Sequence, residues 1–187
     1  MSIKSTLLIL GTTLTVNTLN AQSSNIVLGR PTDQSVTASV LMPQSMDVYF
    51  VYGLQSGVYN DSTPMQTCQA NVPQEIELTG LFPDSKYHYR MKSRPSGTGA
   101  YLVSPDYSFH TQRSVGSSFT FTVEADEHLY DKKGVDNMYK ITLQNQANDH
   151  PDFMLSLGDI FGDDHYPNTI TSSQLDTLHR NYRPFLD

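Results

Sequence analysis

Short alternating runs of hydrophobic and polar residues fill the first half of the chain, with turn-forming residues between them. Proline, glycine, asparagine and aspartate separate the runs, and none of the runs has the 3.6-residue period of a helix. Six or seven short strands in fewer than about a hundred residues are typical of a β-sandwich. The predicted strands cover residues 25–29, 35–42, 46–53, 75–79, 86–92 and 107–111.

The second half of the chain predicts strands that alternate with helices. Hydrophobic residues alternate from Ser118 onward, so Phe119, Phe121 and Val123 share one face of a predicted strand. A second run, 153–157, is apolar on both faces, as expected for a parallel strand that helices cover. A strand, a helix and a strand in this order predict a right-handed crossover between parallel neighbours.

Two helices are predicted in this half. The first covers about 136–147, with Asp136 as its cap and with Met138 and Ile141 on its apolar side. A capping box at 171–174 begins the second helix. The apolar stripe of that helix comprises Leu175, Leu178 and Tyr182.

Acidic and imidazole side chains follow both predicted strands of the second half. Asp126 and His128 come after the first strand, and Gly158-Asp159 follows the second, 31 residues beyond His128. This spacing suits one strand–helix–strand step, which brings the carboxyl ends of two parallel strands to one edge of the sheet. Carboxylate and imidazole ligands together suit a divalent or trivalent metal ion. The alternative is that these residues only cap neighbouring helices.

The pair Asp126-x-His128, followed by Leu157-Gly158-Asp159, resembles the first two motifs of the calcineurin-like metallophosphoesterases. The resemblance implies two divalent or trivalent metal ions, iron, manganese or zinc, with Asp126 and His128 on the first ion and Asp159 bridging both. It also implies metal-dependent hydrolysis of a small phosphoester substrate by a phosphatase or phosphodiesterase. The fold implied for this half is the βαβα part of a four-layer α/β/β/α sandwich.

Other features of the family pattern are absent up to Asp187 or differ. The third motif, Gly-Asn-His-Asp/Glu, does not occur, and the later histidines that complete the family's two-metal site would lie beyond Asp187, so we expect an N-terminal part of a longer hydrolase. Its catalytic residues are expected downstream of Asp187, and this part alone is expected to be inactive. The purple subgroup has a tyrosine where this chain has Gly162, so a colourless centre is expected. Residues expected at the rim of the site are Asp163, Asp164 and His165.

The first half also carries a family resemblance. Leu81-x-Pro83-x-x-x-Tyr87 is similar to the tyrosine corner of fibronectin type III domains, whose hydroxyl caps backbone groups. The run 29–32 is similar to the start of the sandwich domain that precedes the catalytic domain in purple acid phosphatases. The expected fold is an all-β immunoglobulin-like sandwich followed by the first part of an α/β metallophosphoesterase domain. The expected domains are a signal peptide (1–21), the sandwich (22–112), a linker (113–118) and the truncated catalytic domain (119–187).

The N-terminus has the pattern of an export signal. Lys4 precedes a short apolar run, and Ala21 offers a small residue at a cleavage point. Because the run is too short to span a bilayer, we expect a mature chain without a membrane span, in the periplasm or secreted. An N-terminal core strand is the structural alternative.

Acidic residues are concentrated in the second half. Up to Arg113 there are seven basic and seven acidic residues, whereas the remainder has five and twelve, which gives the net charge of −7. This balance disfavours a nucleic-acid-binding surface. It would also repel a phosphorylated substrate unless metal reversed the local field. The alternative function is non-catalytic binding or adhesion at the cell surface through the fibronectin-like domain.

Overall fold

The computed structural model describes residues 25–129, 134–161 and 170–186, which form mostly β-sheet with few helices. The predicted signal peptide and the predicted rim residues Asp163, Asp164 and His165 lie outside these ranges. The first nine strands are β1 (Asn25–Gly29), β2 (Ser35–Leu41), β3 (Met46–Gly53), β4 (Asp61–Ser62), β5 (Gln66–Cys68), β6 (Gln74–Thr79), β7 (Lys86–Pro95), β8 (Leu102–Val103) and β9 (Tyr107–His110). They are followed by β10 (Phe121–Glu124), α1 (Asp136–Asn148), β11 (Phe153–Ser156), α2 (Ser172–Tyr182) and a 3-10 turn (Arg183–Phe185).

Two antiparallel sheets enclose the main hydrophobic core. One sheet has the order β1-β2-β6, and the other has the order β4-β3-β7-β8, with β5 on β3 and β9 on β7. Alternate side chains of β2, β3, β6 and β7 point between the sheets, as a strand period of two requires. The expected sandwich is therefore present. Its most buried side chains include Ala38, Val40, Val48, Phe50, Cys68 and Leu78.

A tyrosine fixes one corner of this sandwich. The backbone N–H of Phe82 donates to the hydroxyl oxygen of Tyr87 over 3.0 Å, and the Tyr87 ring is buried. The ring also stacks on Phe109 of β9, with ring centroids 5.8 Å apart. The hydroxyl thus satisfies a backbone donor at the turn before β7, which confirms the prediction made from the Leu81-x-Pro83 motif.

The second unit is built on a parallel pair of strands. β10 and β11 pair in register from Phe121 with Phe153 to Glu124 with Ser156, and α1 connects them. The helix lies on the face that carries Thr122 and Glu124, since Thr122 is hydrogen-bonded to Gln146 and Glu124 to Tyr139. A parallel neighbour and a connecting helix agree with the predicted strand–helix–strand step.

The predicted apolar side and cap of α1 were wrong. Met138 and Ile141 are more than half exposed, and the helix instead buries Tyr139. Asp136 is the first helical residue, and the capping position is occupied by Val135, which makes no side-chain cap hydrogen bond. The carboxylate of Asp136 still lies near the positive end of the helix dipole, where it is favourable.

The other face of the β10–β11 pair is apolar and exposed. Exposed fractions range from 43% for Phe153 to 67% for Leu157, so the expectation of helices on both faces was wrong for the described residues. The reason is that α1 covers only the Thr122 side of the sheet. Phe121 and Phe153 stack with their centroids 5.4 Å apart. The exposed face comprises Phe119, Phe121, Val123, Phe153, Leu155 and Leu157.

The end of α2 contacts the sandwich. Arg183 donates to the Oδ1 atom of Asn25 over 2.8 Å and to the carbonyl oxygen of Ser39 over 2.9 Å. The predicted capping box of α2 is present, since the hydroxyl of Thr171 accepts from the N–H of Gln174 while the Gln174 side chain accepts from the N–H of Thr171. Neither helix in the described ranges has the length and hydrophobicity needed to cross a membrane.

Candidate metal centre

The ends of β10 and β11 place the predicted ligands side by side. Beyond the strands, the Leu157 N–H donates to the carbonyl oxygen of Glu124 over 2.9 Å, and the Asp126 N–H donates to that of Gly158 over 3.1 Å. A third hydrogen bond of 3.0 Å joins the Leu129 N–H to the carbonyl oxygen of Ile160. Because these bonds continue the pairing past the sheet, the two ligand-bearing loops hold each other in register.

The backbone at the ligands adopts an unusual conformation. Asp126, His128 and Asp159 have φ values of 61°, 49° and 59°. Residues other than glycine rarely adopt this left-handed conformation, and each one held in it destabilises the fold by about 1–3 kcal/mol. Such residues cluster at functional sites, so three of them among the predicted ligands support a functional role.

The three side chains converge on one point. The Nε2 atom of His128 lies 3.0 Å from the Oδ2 atom of Asp159 and 3.9 Å from the Oδ1 atom of Asp126. One ligand atom from each residue lies within 4.8 Å of the others. The His128 side chain is 18% exposed, whereas those of Asp126 and Asp159 are 69% and 42% exposed.

The arrangement fits a metal ion chemically. Bonds from zinc to imidazole nitrogen and carboxylate oxygen are about 2.0–2.2 Å long, so two ligands of one ion lie at most about 4.4 Å apart. The separations between His128 and both carboxylates already meet this limit. Two carboxylates and an imidazole would also suit iron or manganese. The site therefore needs only a small contraction to hold an ion.

A close backbone approach supports the His128 loop. The N–H of Gly134 donates to the carbonyl oxygen of His128 over 2.8 Å. A Cβ atom on Gly134 would lie 2.4 Å from that oxygen and 2.5 Å from the carbonyl oxygen of Glu127. Only glycine fits here without a shift of the backbone.

The sequence did not indicate a polar cluster behind the ligands. The Oε1 atom of Glu124 accepts from the hydroxyl of Tyr139 over 2.7 Å and from that of Tyr182 over 3.4 Å, and Oε2 accepts from the Nε2 atom of Gln146 over 3.2 Å. The two tyrosine hydroxyl oxygens are 2.9 Å apart. Burial raises the pKa of Tyr139, and it raises that of Tyr182 to about 12, so both hydroxyls are neutral donors at neutral pH.

Glu127 lies between two of the predicted ligands but turns towards the interior. Its Oε1 atom is 3.5 Å from the hydroxyl of Ser156. Burial raises the pKa of this carboxyl, and the nearby Glu124 carboxylate adds to the effect. Since Glu127 turns away from the converging ligand atoms, the structure does not group it with Asp126 and His128.

The fold places this chain in a class of proteins in which an antiparallel β-sandwich precedes an α/β unit. A solved structure with this fold is purple acid phosphatase from the seeds of yellow lupin (Lupinus luteus), with a TM-score of 0.62 and 15% sequence identity. The likeness covers 90% of this chain, which is more than the sandwich alone, and 33% of the lupin chain. The chain thus spans about a third of the length of that enzyme, and the likeness establishes the fold alone.

Smaller solved domains have lower TM-scores. The third fibronectin III domain of a human protein has a TM-score of 0.34 at 19% identity, over 58% of this chain and 98% of its own. A sensor domain of an anti-sigma factor from Pseudobacteroides cellulosolvens has a TM-score of 0.39 at 12% identity, over 49% and 75%. The chain matches no protein-family model, and no curated protein matches it in sequence.

Proposed function

We propose that this chain is part of an exported hydrolase that cleaves phosphoesters with the help of metal ions. The observation that supports this most directly is the convergence of Asp126, His128 and Asp159 at the carboxyl ends of two parallel strands. The fold likeness to a purple acid phosphatase agrees with it at a distant level. Asp126 and His128 would hold one ion, and Asp159 would be shared between this ion and a second one. Iron, manganese and zinc all suit these donors.

The roles of the residues follow from their chemistry. When bound, paired metal ions acidify water and offset the charge of the phosphoryl oxygens. His128 would bind an ion through an unprotonated ring nitrogen from a largely buried position, and Asp159 would bind through a carboxylate oxygen that lies close to His128. The acidic second half would repel a phosphate group, so the substrate would approach only a metal-loaded site.

The described residues provide three ligands, fewer than two ions require. We therefore expect this chain to bind metal weakly and to hydrolyse little by itself. The proposed organisation assigns residues 1–21 to a signal peptide, 22–112 to the sandwich and 113–118 to a linker. Residues 119–187 are assigned to the catalytic domain, and the protein to the periplasm or the exterior.

The alternative of adhesion through the sandwich has no specific observation in its favour. A row of exposed tyrosine rings would serve such binding, but among the four tyrosines of β3 and β7 only Tyr49 is partly exposed, and Tyr52, Tyr87 and Tyr89 are buried in the core.

Calorimetric titration of the 187-residue chain with Zn²⁺ and Mn²⁺ tests the proposal. We expect measurable binding, at least about tenfold weaker in Asp159→Asn. Asp149→Asn, an exposed carboxylate beyond the end of α1, is the matched control and should bind like the wild type. A longer protein that contains this chain should hydrolyse an aryl phosphate monoester or diester in a chelator-sensitive manner. Absence of metal binding by the wild-type chain would overturn the proposal.

A further inference from the structure

The last residue of β10 connects the ligand loops to the helices. Glu124 precedes Asp126 by two residues. Its carbonyl oxygen accepts from the N–H of Leu157, which lies two residues before Asp159 in the loop that follows β11. Its side chain points to the opposite face, where α1 and α2 pack. One residue therefore contacts the segments that carry all three predicted ligands, as well as both helices.

The side-chain contacts of Glu124 are unusually complete. Tyr139 of α1 and Tyr182 of α2 are 7% and 6% exposed. The Tyr139 hydroxyl donates to the Oε1 atom of Glu124, and the Tyr182 hydroxyl oxygen lies 2.9 Å from that of Tyr139 and 3.4 Å from Oε1. Gln146 donates to the other oxygen. A carboxylate removed from water is destabilising unless hydrogen bonds replace its hydration, and these donors replace it. Its position is consequently fixed from three directions.

The tyrosines are themselves held by aromatic packing. The rings of Tyr139 and Tyr182 stack with centroids 6.2 Å apart, and Phe185 lies 5.4 Å from Tyr139. A displacement of either helix would thus move the Glu124 carboxylate and, through the backbone, the adjoining ligand loops.

We propose that Glu124, held by Tyr139 and Tyr182, is a positioning residue that keeps Asp126, His128 and Asp159 in the geometry of a metal site. This inference rests on the proposed function. Residues that orient metal ligands from behind typically change metal affinity about 10–100-fold when they are altered. A role in core packing alone would lower stability and leave affinity unchanged.

The sandwich provides a matched control for this distinction. The hydroxyl of Tyr59 donates to the Oδ1 atom of Asp106 over 2.7 Å, the same type and length of bond as that from Tyr139 to Glu124. Tyr59→Phe removes such a bond far along the chain from the ligands, whereas Tyr139→Phe removes it directly behind them.

The test measures Mn²⁺ and Zn²⁺ affinity of the whole chain by calorimetry, and the Mn²⁺ environment by electron paramagnetic resonance. Circular dichroism confirms that each variant is folded. We expect Tyr139→Phe and Glu124→Gln to bind about 10–100-fold more weakly with an altered Mn²⁺ spectrum, and Tyr59→Phe to bind like the wild type. Tyr182→Phe should have a smaller effect, since its contact with Glu124 is longer.

A readout that needs no metal completes the test. Amide exchange of Asp126 and Leu157 should accelerate in Tyr139→Phe and stay unchanged in Tyr59→Phe, because both amides bond across the two ligand loops. Wild-type affinity and wild-type exchange in Tyr139→Phe and Glu124→Gln would overturn the positioning role and leave the proposed function intact. A wild-type chain that binds no metal would overturn both.

Discussion

The Nε2 atom of His128 lies 3.0 Å from the Oδ2 atom of Asp159, although 31 residues separate them. The hydrogen bond is possible because β10 and β11 are parallel neighbours whose ends are joined by further backbone bonds. Two side chains that could bind the same ion are therefore hydrogen-bonded to each other. A metal ion would have to replace this pairing.

A change in the His128 ring is the first expected consequence. A ring nitrogen that carries a proton cannot bind a metal, so Zn²⁺ should break the His128–Asp159 hydrogen bond if Nε2 is the ligand atom. Heteronuclear NMR of the histidine rings is expected to show a change for His128 on titration. His88 and His110, which lie in β7 and β9 of the sandwich, should show none. A His128 signal that does not respond to bound metal would contradict the assignment.

Replacing Gly134 with alanine should disturb the His128 loop. The added Cβ would meet two backbone carbonyl oxygens at 2.4 and 2.5 Å, so the loop must move. We expect lower stability and weaker Zn²⁺ binding, measured by thermal unfolding and calorimetry.

Gly29→Ala is the matched control for that change. Its added Cβ would have no atom within 4 Å, and its backbone has no positive φ. It should therefore leave the Zn²⁺ affinity unchanged. An unchanged affinity in Gly134→Ala as well would show that the backbone at His128 does not determine the site.

The tyrosine corner should contribute measurably to the stability of the sandwich. Tyr87→Phe removes the acceptor of the Phe82 N–H, and a hydrogen bond of this kind contributes about 0.5–1.5 kcal/mol. Urea unfolding should show a loss in this range. Tyr49→Phe is the control, because the Tyr49 hydroxyl makes no hydrogen bond to any residue that the structure describes, and its loss should be much smaller.

A buried carboxylate in the sandwich should make stability depend on pH. The amide N–H of Gly97 donates to Asp47, and with Thr67 and Arg94 it lowers the pKa of the Asp47 carboxyl. A lowered pKa in the folded state means that the stabilisation is fully present above the unfolded value of about 3.9. It is lost as the pH falls through the folded value.

Asp47→Asn should accordingly melt at a lower temperature than the wild type at about pH 7, and the difference should shrink below about pH 4. Thermal unfolding across this range measures it. Asp33→Asn, in the exposed turn between β1 and β2, should show no comparable difference. A gap for Asp47→Asn that stays constant with pH would contradict the role of its charge.

The sequence predicted those elements that depend only on residues close to one another in the chain. Alternation placed β1 and β3 at their observed bounds, and the Thr171 capping box and the Tyr87 corner depend on neighbours in sequence. The two-residue strand β4 lies outside the predicted strands, since Asp61 and Ser62 form a strand only by pairing with β3. A pairing of that kind leaves no period in the sequence.

The candidate site was predicted in part for the same reason. Asp126, His128 and Asp159 follow strand ends, so topology alone brings them together, and their assignment as metal ligands stays a prediction. The cluster around Glu124 was missed because its members belong to β10, α1 and α2, with no spacing to connect them. Met138 and Ile141 were assigned to the apolar side of α1 because they are hydrophobic. Tyr139 is buried instead, and its hydroxyl donates to the Glu124 carboxylate.

The bond from Arg183 to Asn25 spans 158 positions, which has a consequence for the order of folding. Closing so long a loop in an unfolded chain is entropically unfavourable, and the cost grows with the logarithm of its length. Once the antiparallel sheets have formed, Asn25 and Ser39 are already fixed and the remaining loop is effectively much shorter. The sandwich, which is synthesised first, would therefore fold first, and the end of α2 would pack against it in a later step.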